Sequence, residues 1–118
     1  MKAQALLDAM ATHALHGAAR LALQIQSPLA AKRTVMRLAA RLRPFTDVDE
    51  ARAAARVLSR KGTCLSRSLA IAARLPGSNV VIGVDVRRSS RVLGHAWVQL
   101  GSEIVYPAQP NGETIACF

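Results

Sequence analysis

Gly62-Thr-Cys-Leu-Ser-Arg-Ser-Leu-Ala-Ile-Ala-Ala-Arg74 gives way, past Pro76-Gly77, to Asn79-Val-Val-Ile-Gly-Val-Asp-Val-Arg87. Within this stretch the apolar period changes from helical to alternating, and that change decides the fold. Thr63 is an N-cap residue for a helix over 64–75, which Pro76-Gly77 stops. Residues 79–87 then read as a strand, followed by His95-Ala-Trp-Val-Gln-Leu100 and Glu103-Ile-Val-Tyr106. Ser89-Ser90 and Gly101-Ser102 supply the turns, so the three strands form an antiparallel meander.

Upstream there are only helices. Leu6, Leu7, Met10, Leu15, Leu21, Leu23 and Ile25 mark one over residues 3–25 on an Ala-rich background. Ser27-Pro28 starts a second, with Pro28 at its first position, and Arg43-Pro44 ends it near Leu42. Asp47-x-x-Glu50 has capping-box form and opens a third over 48–60, with Gly62 as its C-cap. The chain is therefore read as one α+β domain over 1–118. Residues 1–62 form N-terminal helices, 63–106 a helix packed on a small antiparallel sheet, and 107–118 an irregular tail.

The 51% apolar content is heavy in Ala, and aromatics make up 3%, so the core must be built from Leu, Ile, Val and Ala. Sixteen basic residues against seven acidic ones give a net charge of +9. That balance fits an acidic partner or an Arg-rich solvated surface. Arg33, Arg37 and Arg41, and then Arg52, Arg56 and Arg60, recur every fourth residue: solvated faces or docking faces. No aromatic residues interleave with them, which argues against a single-stranded nucleic-acid platform. Asp8, His13 and His16 interrupt the first apolar run before a signal-peptide core can form, and no uncharged run has the length of a membrane span. The expected setting is the cytoplasm, without membrane or nucleic-acid partners.

Cys64 and Cys117 make no disulfide framework, and no zinc-ligand spacing occurs. A thiol reacts as its thiolate, which a helix N-terminus and a neighbouring imidazole both favour. Cys64 stands in the first turn of its helix, where unpaired backbone N–H groups can also serve as an oxyanion hole. The alternative is a small buried hydrophobe. Cys117 has no comparable setting. His95 opens a strand that, packed on the Cys64 helix, can carry a base to the sulfur. His13 and His16, with no ligand-spaced companions, read as surface or interface residues. Trp97 shares the face of His95 and is either a cleft wall or the main core anchor.

Arg60-Lys-Gly-Thr-Cys64-Leu-Ser-Arg67-Ser68-Leu-Ala, Val80-Val-Ile-Gly-Val84 and His95-Ala-Trp-Val98 together resemble the transglutaminase-like leader peptidases of lasso peptide biosynthesis. The likeness covers about residues 50–106. It implies a papain-type core with Cys64 as nucleophile and His95 as base, and no cofactor or metal. It implies removal of the leader from a ribosomally made precursor peptide, with a separate leader-recognition protein. An ATP-dependent cyclase, similar to asparagine synthetase, then closes the ring. Other outcomes on such a chain are acyl transfer to an amine, or a non-catalytic basic scaffold that binds a peptide or nucleic acid.

The family has an Asp on the strand after the His strand to orient the imidazole. Counting from a two-residue turn at Gly101-Ser102 puts Pro107 or Ala108 there, neither with a carboxylate. Of the acids after Cys64, namely Asp85, Glu103 and Glu113, a hairpin turning near Ser89-Ser90 sets Asp85 about opposite His95. Gln109 is the runner-up, since an amide can orient an imidazole. A third reading pairs Asp85 with a nearby Arg on an exposed sheet face.

Overall fold

A computed structural model describes residues 2–85, 93–106 and 113–118. Four helices, α1 (Lys2–Ile25), α2 (Pro28–Ala39), α3 (Val48–Val57) and α4 (Cys64–Ala72), precede four strands, β1 (Asn79–Asp85), β2 (Leu93–Leu100), β3 (Glu103–Tyr106) and β4 (Glu113–Cys117). The sheet is antiparallel in the order β3-β2-β1-β4.

The α+β architecture is thus the expected one, with a fourth strand added. Residues 107–112 of the expected irregular tail lie outside the described residues, but 113–117 pair with β1. The physical reason is the edge of β1 that β2 leaves open, whose amides and carbonyls need partners. Phe118 extends that pairing, its N–H donating to the Val80 carbonyl at 2.8 Å. Cys117 accordingly ends a strand.

Local signals set the helix starts. The Ser27 hydroxyl accepts from the Ala30 N–H, with Pro28 in the first turn. The Asp47 carboxylate accepts from the Glu50 N–H at 2.9 Å. The second half of that capping box is absent: the Glu50 carboxylate takes the Thr46 N–H and hydroxyl and the Arg43 guanidinium instead. Both α2 and α3 stop earlier than expected. α3 gives out at Val57, where Leu58 leaves helical geometry at φ −90° and ψ 3°, and Arg60 beyond it adopts a left-handed φ of 66°. Arg60 therefore lies off the helix. Arg52 is engaged by β3, donating to the Ile104 carbonyl and pairing with Glu103. The second Arg stripe is therefore no continuous face, whereas Arg33, Arg37 and Arg41 are exposed along and just beyond α2.

Helices cover one face of the sheet. α4 lies on β1 and β2, α3 on β3, and α1 packs on α2 and α4. Val35, Leu58, Leu69, Ile71, Val80 and Val98 form the fully buried centre. On α1 the packed stripe is Thr12, Leu15, His16, Ala19 and Ala22, while Leu6, Leu7, Met10, Leu21 and Ile25 point outward. Most of the large residues that announced the helix are thus not the ones that bury it. Short alanine side chains form much of the packed face.

Arg74, just past the end of α4, is 2% exposed and ties the helices together. Its guanidinium donates to the Arg43 carbonyl at 2.7 and 3.0 Å and to Asp8 at 3.2 Å, and lies 4.5 Å from the Phe45 ring centroid. Burial opposes ionisation of Asp8, but hydrogen bonds from Arg74 and Arg43 outweigh it and hold the carboxyl below its usual range. Removing Asp8 leaves a buried cation without its counter-charge. Asp8→Ala is expected to cost about 2 kcal/mol, less than for a fully buried pair because Asp8 keeps some solvent. Urea unfolding measures this, and an unchanged midpoint would assign the anchoring to Arg43 and Phe45 alone.

Candidate active site

The first turn of α4 is a complete capping box. The Thr63 hydroxyl accepts from the Ser66 N–H at 3.1 Å, and the Ser66 hydroxyl accepts from the Thr63 N–H at 3.0 Å. Cys64 is the first residue of the helix and is half-buried. The amides at this end have no partner within the helix ladder and carry the positive end of its dipole. The Ala96 N–H donates to Cys64 Sγ at 3.4 Å. One bond therefore fixes the sulfur against β2, beside the residue that follows His95.

β2 exposes His95 to solvent. Ala96 and Val98 are buried, and Val98 packs into the core beneath the helices. His95 and Trp97 alternate with them, opposite Gly83 and Val81 respectively. The register runs from Asn79 opposite Gln99 to Asp85 opposite Leu93, so Asp85 does not stand opposite His95 as expected. A pairing of Asp85 with His95 needs the hairpin's centre one residue later. The position facing His95 is Gly83, which has no side chain, and Asp85 occupies the diagonal register position. On the other side, β2 and β3 slip register between Val98 and Gln99. The count that led from Gly101-Ser102 to Pro107 or Ala108 does not carry through that bulge. Pro107, Ala108 and Gln109 lie outside the described residues, as does the Ser89-Ser90 turn. Trp97 is buried, its Nε1 donating to the Gln99 side chain at 3.2 Å, but it lies on the strand face alternate to Val98 and outside the core cluster, so it is not the main core anchor.

Two further residues hold the turn before Cys64. Arg67 Nη1 donates to the Lys61 and Gly62 carbonyls at 2.6 and 3.2 Å. From beneath, His16 Nε2 lies 2.9 Å from Ser66 Oγ. His16 is 4% exposed and packed inside the chain, which corrects its reading as a surface or interface residue; His13 is exposed. Gly62 is not the cap of α3 but a close-contact residue with φ 60°, on which a Cβ would stand 2.6 Å from His16 Nε2. The sequence held a signal for His16: Thr12, Leu15, Ala19 and Ala22 lie on the same helical stripe. It was masked by the larger leucines elsewhere on α1.

Burial, then Arg20, Arg67, His13 and Lys61, push the His16 pKa below its ordinary 6.5. A depressed histidine contributes stability that is complete above the unfolded value and lost as pH falls through the folded one. The native chain should therefore lose stability below about pH 6.5 more steeply than His16→Gln. Urea midpoints between pH 7.5 and 5 test this, and parallel profiles would refute it.

Among the described residues no group of three or more His, Cys, Asp or Glu could hold a metal ion, and no helix is long and apolar enough to cross a membrane. Cys117 is exposed at the end of β4, opposite Val81.

A helix-start cysteine, a histidine on the adjoining strand and helices on one face of an antiparallel sheet define a transglutaminase-like core. The model of the transglutaminase-like superfamily matches residues 3–115, and the chain belongs to that superfamily. Its members are generally cysteine peptidases or acyltransferases. No curated protein and no solved structure matches the chain.

Proposed function

We propose that the protein is the cysteine peptidase that removes the leader from a lasso peptide precursor. The observation that carries this reading is the Ala96 N–H bond to Cys64 Sγ, which sets a helix-start thiol against the His95-Ala-Trp-Val98 strand. Cys64 Sγ attacks the scissile carbonyl and its proton passes to His95. First-turn amides of α4 receive the oxyanion. The C–N bond breaks, His95 returns the proton to the departing α-amine, and the leader remains as a thioester. Water, deprotonated by His95, hydrolyses it and regenerates the thiol. The freed amine is the group that an ATP-dependent cyclase needs.

The leader is held by a separate recognition protein, and the exposed Arg33, Arg37 and Arg41 are the docking face. The test follows precursor mass with time, with and without that partner, at low and high salt. Faster cleavage with the partner, weakened by salt, supports the reading. A precursor left uncut under every condition sinks it, and an amine donor appearing in the product would assign acyl transfer instead. With Asp85 at the diagonal register position from His95, Asp85→Asn is expected in the same assay to lower kcat about tenfold or more, against near-native Glu103→Gln. A crippled Gln109→Ala beside a native-like Asp85→Asn would move the orienting role to the segment after β3.

A further inference from the structure

His16 is a buried histidine that the reaction as derived does not use. It costs free energy to keep an imidazole at a site where its helix otherwise packs Leu15, Ala19 and Ala22. Its one hydrogen-bond partner among the described residues is Ser66 Oγ. That hydroxyl is already committed: it accepts from the Thr63 N–H and donates to the Thr63 carbonyl, both at 3.0 Å. A hydroxyl has one proton and two acceptor sites, so the place left for the ring is the second acceptor. The hydroxyl's capacity is then filled when Nε2 carries the hydrogen and donates it. Gly62 closes over the ring so tightly that the space admits no Cβ. Imidazole, Ser66 and the turn before the nucleophile are thus one packed unit that spans 50 residues of chain.

We propose that His16 is a positioning residue for Cys64: through Ser66 it fixes the Lys61–Thr63 turn from which the nucleophile helix starts. It touches no reacting atom. Arg67 holds the same turn by its carbonyls from the α4 side, and His16 holds it from α1. The neutral ring is the working form. Burial, then Arg20 on α1, Arg67 on α4, His13 on α1 and Lys61 in the turn, disfavour a charge on it.

The inference rests on Cys64 being the nucleophile, so the test separates the two. Iodoacetamide labelling of the full chain between pH 6 and 9, resolved by peptide mass spectrometry, reads Cys64 with Cys117 as internal reference. In the native protein Cys64 should label faster than Cys117. His16→Ala should slow Cys64 by about tenfold and leave Cys117 unchanged, because small displacements of a reacting group have effects of that order. His16→Gln, whose amide N–H can reach the same oxygen, should restore the rate to within about twofold. If His16→Ala does not fold, His16→Leu fills the space without a hydrogen-bonding atom and takes its place. A folded variant whose Cys64 labels at the native rate overturns the positioning role and leaves the nucleophile standing. Equal labelling of both cysteines in the native protein overturns the nucleophile, and the role of His16 falls with it.

Discussion

Cys64→Ala is expected to leave the precursor uncut, and Cys64→Ser and His95→Ala to fall at least about a thousandfold below the native rate. Residues that act as a unit lose their effect together, so the His95 variant should be nearly as inactive as loss of the sulfur. Cys117→Ser should stay within about twofold of native. Both cysteines are free, but only Cys64 begins a capped helix and receives an N–H from β2. The measurement is the mass of the precursor after incubation. Leader removal that survives in Cys64→Ala would end the cysteine-peptidase reading altogether.

The second large effect belongs to Gly62→Ala. An L-residue in the left-handed region costs about 1–2 kcal/mol, and here the added carbon would also meet His16 Nε2 at 2.6 Å and Ser66 Oγ at 2.7 Å. Neither neighbour is a free surface chain: both are buried and bonded to each other. A total loss of about 3 kcal/mol is expected, within the range of overpacked sites, with a matching fall in Cys64 reactivity. Arg60 provides the contrast. It too has a left-handed φ, but it is exposed, so Arg60→Gly should stabilise modestly. A Gly62→Ala chain with native thermal stability would show that the turn has room to spare.

What was legible in the sequence is what local chemistry decides. Ser27, Asp47 and Thr63 cap helices because a short polar side chain next to an orphan amide needs no tertiary information. The switch at Asn79 to alternating apolar residues likewise needs only the pleat of a strand. The placement of Cys64 at a helix start and of His95 on the following hairpin came from these two signals. Register did not. Whether His95 faces Gly83 or Asp85 depends on a one-residue shift in the centre of a hairpin, which composition does not encode. β4 escaped because Glu-Thr-Ile-Ala-Cys is short and only weakly strand-like; what makes it a strand is the open side of β1. The burial of His16 depends on which side of an Ala-rich helix meets α4, and exposed leucines on α1 point the amphipathic reading the wrong way.

The link between α1 and α4 also dictates when the thiol becomes special. Ser66 and Arg74 find partners 50 and 66 residues earlier in the chain. Closing loops of that length adds little to the equilibrium cost, since the penalty grows only logarithmically, but non-local contacts form late. During synthesis α1 emerges first and waits, its packing face uncovered, until α4 has been made. Until the two meet, the proposed support of the Cys64 turn by His16 is missing. On the proposed role of His16, selective reactivity would be acquired only once α1 and α4 have met, which would shield a newborn chain from reacting before its cleft exists.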